Sequence, residues 1–293
     1  MQKNRHASFS HARSAKSVVE LHNETGKFRN LASLGVNQRK QQIRLISFSV
    51  KANIWSHLLG ALQFLYGLVQ FVQAQALSRD GARAGDMVAV SVYYLCVVVC
   101  FALSTIFHTF PDHSSEMHRF GNELDHLDIV LVMWGTGVSG VHFAFRCDAQ
   151  LRWFYFLAIS ATALGCAVFT LKPKFRQPSY RTARFLMYCF LGTSLFAPVA
   201  HGSVEYGFAA LSEMMGLRSF LGLAVINFLG AAVYAARVPE RWFPATFDLL
   251  GHSHNWMHVL VLTGAFVRLD GLLAVCEQWQ MEGEAIASCQ GLL

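Results

Sequence analysis

The sequence predicts an all-α protein, a seven-transmembrane helix bundle. Three observations carry that expectation: an apolar composition, seven separated apolar runs, and histidines gathered at the ends of those runs. Across 293 residues, 54% are hydrophobic and 14% charged, with a mean hydropathy of +0.35, a balance too apolar for an ordinary soluble domain. A spanning helix takes about 20 predominantly apolar residues, so seven of them leave room only for short loops and one membrane domain.

The runs are 53–77, 87–107, 124–145, 151–171, 182–200, 218–236 and 254–275. None alternates like a membrane strand, so each is read as a helix. Gly81, Gly85, Pro111, Pro173, Pro178, Gly202, Pro239 and Pro244 fall in or beside the connections, where a helix can end without orphaning backbone groups in lipid. The expected organisation is a basic tail over 1–52, a membrane domain over 53–275 and a short tail over 276–293. The stretch 1–16 is basic and polar with no apolar core behind it, so no cleavable signal peptide is expected and the first span inserts itself.

Orientation follows from Lys and Arg. Of the 24, ten lie before Asn53 and eight more (Arg119, Lys172, Lys174, Arg176, Arg181, Arg184, Arg237, Arg241) fall in connections on that same side. The other side holds Arg79, Arg83, Arg146, Arg152, Arg218 and Arg268. A cytosolic amino terminus and an extracellular or lumenal carboxyl terminus are expected. The net charge of +6 is mostly the tail, which points to anionic lipid and gives nucleic acid no folded basic face. Cys96, Cys100, Cys166 and Cys189 sit inside apolar runs as packed thiols, whereas Cys147, Cys276 and Cys289 lie on loops or the tail, where a disulfide is open to them. No CxxC pair supports a cysteine metal site.

Ionisable side chains are costly inside a bilayer, so each one within a span is a functional candidate. At the end of the second run, Ser104 and His108 stand four apart on one helical face. At the start of the third come Glu123, Asp125 and His126. At the start of the seventh, His254 and His258 stand at i and i+4, about 6 Å apart and able to grip one ion. The second run travels toward the cytosol while the third and seventh leave it, so all three clusters fall at one membrane face. Three neutral imidazoles suit zinc and leave a fourth position open for water, the catalytic type of site. Asp125 would then act on that water as general base, and Ser104 would orient a ligand. His252 competes with His254, but its pairing with His258 is i and i+6, on opposite faces. For Asp125, a carboxylate favoured by the dipole at a helix start is a sufficient structural reading. His57, His113, His118, His126, His142 and His201 are read as interfacial or structural.

At these residues the chain resembles the progestin and adipoQ receptor family, whose members include adiponectin-receptor-like and haemolysin III-related proteins. The matching stretches are Asn53-IWSHLLG, Ser104-TIFHTF with His113-Ser114, Leu124-Asp125-His126, Val238-PERWFP, and Ser253-His254 with His258-VLVL. The resemblance implies seven helices with a cytosolic amino terminus. It further implies zinc held by His108, His254 and His258, with a water held by Asp125 and with Ser104 beside it. It implies a cavity open to membrane lipid, ceramidase-like hydrolysis of a lipid amide yielding a fatty acid, and roles in receptor signalling and in sterol, lipid or zinc homeostasis. The partners this suggests are ceramide or fatty acid in the bundle and an extracellular protein or steroid-like ligand. Two functions are carried forward: a zinc-dependent lipid amide hydrolase, and a receptor in which zinc is structural. A transporter ranks last, because the runs offer few mid-membrane polar residues.

One departure stands out. Glu24-Thr-Gly26 is separated from Asn53 by 27–52, where family members join the two directly. Gly26-Lys27 can be encoded with a splice donor, so the segment is read as a retained intron or an insertion. It is rich in Lys, Arg, Gln and Asn and lacks a spanning run, so it is expected to stay cytosolic, with a short surface helix near 38–46. Joining Gly26 directly to Asn53 should leave folding and metal content intact, measured by gel filtration and elemental analysis. Loss of the metal on deletion would show that the segment belongs to the site.

Overall fold

In lipid every backbone N–H and C=O has to be satisfied within its own segment, so apolar runs of this length fold as helices. The computed structural model describes residues 36–77, 84–109, 115–172, 175, 180–243, 246–247 and 251–281, and among the described residues there is no strand. In chain order the helices are α1 (Val36–Leu77), α2 (Ala84–Thr109), α3 (Ser115–Ala144), α4 (Ala149–Leu171), α5 (Arg181–Ser194), α6 (Phe196–Glu205), α7 (Phe208–Met215), α8 (Leu217–Ala236) and α9 (Ser253–Met281). Five segments among the described residues are long and apolar enough to cross a membrane: α2, the Glu123–Ala144 part of α3, α4, α8 and α9.

The departures from the expected runs have physical causes. α1 is one 42-residue helix from Val36 onward, so the helix expected near 38–46 and the first span are continuous. Gln63, Gln70, Gln73 and Gln75 interrupt its apolar character, which keeps it out of the strongly apolar set. The fifth run is divided at Leu195 into α5 and α6, of 14 and 10 residues. Pro198 has no N–H to return to the Ser194 carbonyl and its ring crowds that turn, which breaks the helix there. The short α7 was not anticipated. It is punctuated by Gly207 and Gly216, with φ of 83° and 63°, values that favour glycine at a helix end. α9 continues to Met281, so the boundary expected at 276 lies inside a helix. Residues 1–35 and 282–293 of the two tails, Cys289 among them, lie outside the described residues.

α9 packs most extensively on α8, α1 on α2, and α2 on α3, with a further α1–α9 contact. Phe64, Val90, Tyr93, Val97, Phe101, Phe143, Phe145, Leu217 and Leu272 form the dense centre, and all are buried. The outward faces of α4 and α8 are the reverse: Trp153, Phe154, Leu157, Leu164, Val225 and Phe228 are all exposed. An apolar exterior of this extent belongs against lipid tails rather than water.

Polar groups cross between helices where they are needed. Tyr93 Oη donates to the Ala265 carbonyl at 3.0 Å, and Trp134 Nε1 to Ser160 Oγ at 3.0 Å. Arg268 is fully buried. Its Nη1 donates to the carbonyls of Met215 and Gly216 at 3.0 and 3.4 Å and to Ser219 Oγ at 3.2 Å, closing the α7–α8 turn from α9. At the far end of α2 and α3, Asp86 Oδ1 lies 2.7 Å from His142 Nε2 and pairs with Arg146, whose guanidinium covers the Trp279 ring at 4.7 Å. Of the cysteines expected on loops, Cys147 is disulfide-bonded, whereas Cys276 is a buried free thiol.

α8 and α9 approach closely at Gly271, where an added Cβ would collide with the Cβ and Oγ of Ser219. Small residues at such crossings are what allow membrane helices to pack. Gly271→Ala is therefore expected to destabilise by about 1–3 kcal/mol, despite the better helix propensity of Ala. Gly165→Ala, where a Cβ meets nothing within 4 Å, is the matched control. Equal thermal midpoints for the two variants would contradict this packing.

Candidate metal centre

α2 ends and α9 begins at the same end of the bundle, and that antiparallel pairing brings together residues 146 positions apart. His254 Nε2 lies 3.4 Å from His108 Nε2, and His258 Nε2 lies 3.0 Å from His254 Nε2. One nitrogen from each of the three rings lies within 4.8 Å of those of the other two. His258 is 2% exposed.

The convergence has a specific chemical meaning. A neutral imidazole has one N–H and one lone pair, so three ring nitrogens meeting at a point cannot all be satisfied by one another. A single cation accepts all three lone pairs. Tetrahedral coordination at 2.0–2.1 Å places neighbouring nitrogens about 3.4 Å apart, close to the spacings found here. The donor set and its dimensions therefore suit a metal ion, with nitrogen ligands of the kind zinc prefers.

The two histidines on α9 are held by their surroundings. Glu240, in the turn after α8, accepts from the Ser253 backbone N–H at 2.8 Å and from its hydroxyl, so a carboxylate from outside the helix caps the first turn of α9. Asn255 Nδ2 donates to Asn53 Oδ1 on α1, and Asn255 Oδ1 accepts from the Gly251 N–H at 3.2 Å. His252 Nδ1 accepts from the His254 backbone N–H at 3.2 Å, so this ring supports the turn and is not among the converging three. The Tyr234 ring lies 5.3 Å from that of His254.

Ser104 stands one turn inside His108 on the same face of α2 and is 4% exposed. Its hydroxyl hydrogen-bonds the Asp125 carboxylate of α3. Asp125 is thereby tied to the helix that carries His108, one turn inward from it. Asp128, one turn further along α3, is also buried, at 2% exposure.

Residues 50–269 match the sequence profile of the family described as Haemolysin-III related. The chain belongs to this family. Among its relatives, the Adiponectin receptor protein of Drosophila melanogaster is 32% identical over 220 residues, covering 75% of this chain and 49% of that protein. The ADIPOR-like receptor IZH2 of Saccharomyces cerevisiae is 30% identical, covering 75% and 69%. The Heptahelical transmembrane protein ADIPOR2 of Oryza sativa subsp. japonica is 34% identical, covering 62% and 80%. The chain spans about half the length of the fly relative. A multi-pass membrane protein of the adiponectin-receptor-like kind is the identity these matches and the five apolar helices establish.

Sequence reasoning placed six histidines in a structural class, and the structure sorts them. His142 pairs with Asp86, His201 Nδ1 meets the Tyr155 hydroxyl at 2.9 Å, and His126 faces Tyr188 at 6.2 Å between rings. The side chains of His113 and His118 lie outside the described residues. His57 is the exception: it is buried against His258, with ring centroids 3.9 Å apart. Its four-residue spacing from Asn53 was legible as one helical face, but nothing in the sequence said that this face meets α9. Glu240 was missed for the same reason, whereas Asp128, an acid inside the third run, was legible by the rule that singled out Asp125.

For this family member, His108→Ala, His254→Ala and His258→Ala should each remove most bound metal by elemental analysis, while His252→Ala and His126→Ala should leave about one equivalent, because only the first three supply converging nitrogens. Metal lost with His252→Ala but kept with His254→Ala would overturn this ligand set.

Proposed function

We propose that the chain is a seven-span membrane protein, amino terminus cytosolic, in which His108, His254 and His258 hold zinc and a lipid amide such as ceramide is hydrolysed beside it. The observation that carries this reading is the meeting of three imidazole nitrogens one turn away from the Ser104–Asp125 pair. The two spans beyond the five strongly apolar segments are α1 and the broken α5–α6 stack. The bias of eighteen Lys and Arg to six across the two sides supports the orientation.

When bound, zinc supplies a Lewis acid for a carbonyl oxygen and lowers the pKa of a water to about 7. The chain's own residues carry the proton traffic. Asp125 takes the proton of the water that attacks the amide carbon; a C–O bond forms, the C–N bond breaks, and the proton passes to the leaving amine. The Ser104 hydroxyl, by donating to the carboxylate, fixes which Asp125 oxygen is free to receive that proton. Apolar helices around the site exclude bulk water and provide a surface for an acyl chain.

A receptor reading, with zinc tying α2 to α9 and a protein or steroid-like ligand acting from the opposite side, is favoured by one observation: the fly and yeast relatives are named as receptors. Purified protein with a fluorescent ceramide separates the two. Under the hydrolase reading, Asp125→Ala keeps its metal and loses turnover by about 10²- to 10⁴-fold, the usual worth of a positioned base. Absence of turnover in the unaltered, metal-loaded protein would remove the hydrolase reading and leave the receptor.

A further inference from the structure

α1 belongs to none of the ligand-bearing helices, yet it presents two buried polar side chains to the site. Asn53 and His57 stand one turn apart on the same face and are 4% and 6% exposed, whereas Trp55 and Leu59 beside them are more than half exposed. That face approaches the site closely because the next turn is Gly60, where an added Cβ would meet Leu262 at 2.7 Å and Phe101 at 3.1 Å. The absence of a side chain at Gly60 lets α1 settle into the groove between α2 and α9.

Two contacts result. The Asn53 side chain accepts from Asn255, fixing the first turn of α9. One turn on, the His57 ring packs on two others: Phe101 of α2 at 4.7 Å and 33°, and His258 of α9 at 3.9 Å and 31°. Both nitrogens of His57 are buried and lack a partner in hydrogen-bond geometry. With centroids 3.9 Å apart and planes only 31° from parallel, the ring presents its face to His258.

We propose, on the reading that His108, His254 and His258 hold a metal, that His57 is a positioning residue for that centre. Wedged against Phe101, it backs the His258 ring and holds it at the angle that aims Nε2 at the other two nitrogens. A ligand whose ring is held in place loses less rotamer freedom on binding, and removing such outer support typically costs about 10- to 100-fold in metal affinity. His57 touches neither substrate nor metal in this role.

The test uses the full-length protein in detergent, with zinc alone as the probe in competition with a chelator, and with cobalt(II) as a spectroscopic substitute. His57→Ala should weaken zinc by about 10- to 100-fold and alter the cobalt absorption bands, which report ligand geometry. His57→Phe keeps a ring face without the nitrogens and should restore both to near the unaltered protein. Wild-type affinity and spectrum in His57→Ala would overturn the proposal, and so would a His57→Phe variant as impaired as the alanine one. A metal-independent measurement keeps the two readings apart: thermal midpoints in chelator for His57→Ala, His258→Ala and the double variant. Non-additive losses show the ring contact even if the protein takes up no zinc, in which case only the ligand reading fails; strictly additive losses sink the positioning role itself. Should His57→Ala not fold, His57→Leu replaces it in every arm.

Discussion

Three imidazoles pressed together in an apolar bundle are the constraint from which most of this structure can be read. Their nitrogens cannot satisfy one another, and in a low-dielectric interior an unsatisfied polar atom is expensive. The arrangement persists only where the helices that carry the rings are over-determined. α2 and α9 must be antiparallel, must end and begin at the same level, and must be rotated so that His108 faces the i, i+4 pair of α9. Glu240 at the first turn of α9, Asn53 at Asn255 and the crossing of Gly271 under Ser219 each remove one of these degrees of freedom. They restrict the start of α9, its rotation, and its distance from α8.

The remaining buried polar groups follow the same logic of placement. Asp86, His142 and Arg146 gather at the end of α2 and α3 opposite the histidines, where Arg146 also covers Trp279 of α9. Arg268 stands between the two ends and spends its Nη1 on the α7–α8 turn. α9 is thus anchored by polar contacts at its start, middle and end, with apolar packing on Val261, Ala265, Leu269 and Leu272 between them. These three levels of contact fix the rotation and depth of α9, and with them the placement of His254 and His258.

Much of this was legible in the sequence, because a spanning helix and a metal ligand both leave strong local marks. Ser104 with His108, and His254 with His258, are i, i+4 pairs whose common face follows from helix geometry alone, and topology places them at one end. The break at Leu195 could have been read from Pro198. What the sequence could not disclose were contacts between helices far apart in the chain. His57 reads as one more interfacial histidine until α1 is seen against α9, and Glu240 as a loop charge until it is found capping Ser253. The length of α1 was misjudged for a different reason. Over 27–52 the polar composition argues against a span and suggests only a short helix near 38–46, yet it sets no limit on helix length, since Gln, Arg and Lys are good helix formers.

The hydrolase and receptor readings draw on one set of atoms and differ in what they ask of α9. A hydrolase needs the three nitrogens and Asp125 held in fixed relation, because a displacement of about 1 Å at a reacting centre can cost 10²-fold in rate. A receptor needs that same relation to differ between two states. The restraints found here lie at both ends of α9 and not only around the histidines: the Glu240 cap and Asn53 at the start, and Trp279 under Arg146 at the finish. On the receptor reading, a ligand acting near the Trp279 end would have to reach the histidine pair through α9, and the geometry of that pair is the quantity it would change. The two readings do not exclude each other, because under both a shift of α9 would displace the same pair of histidines.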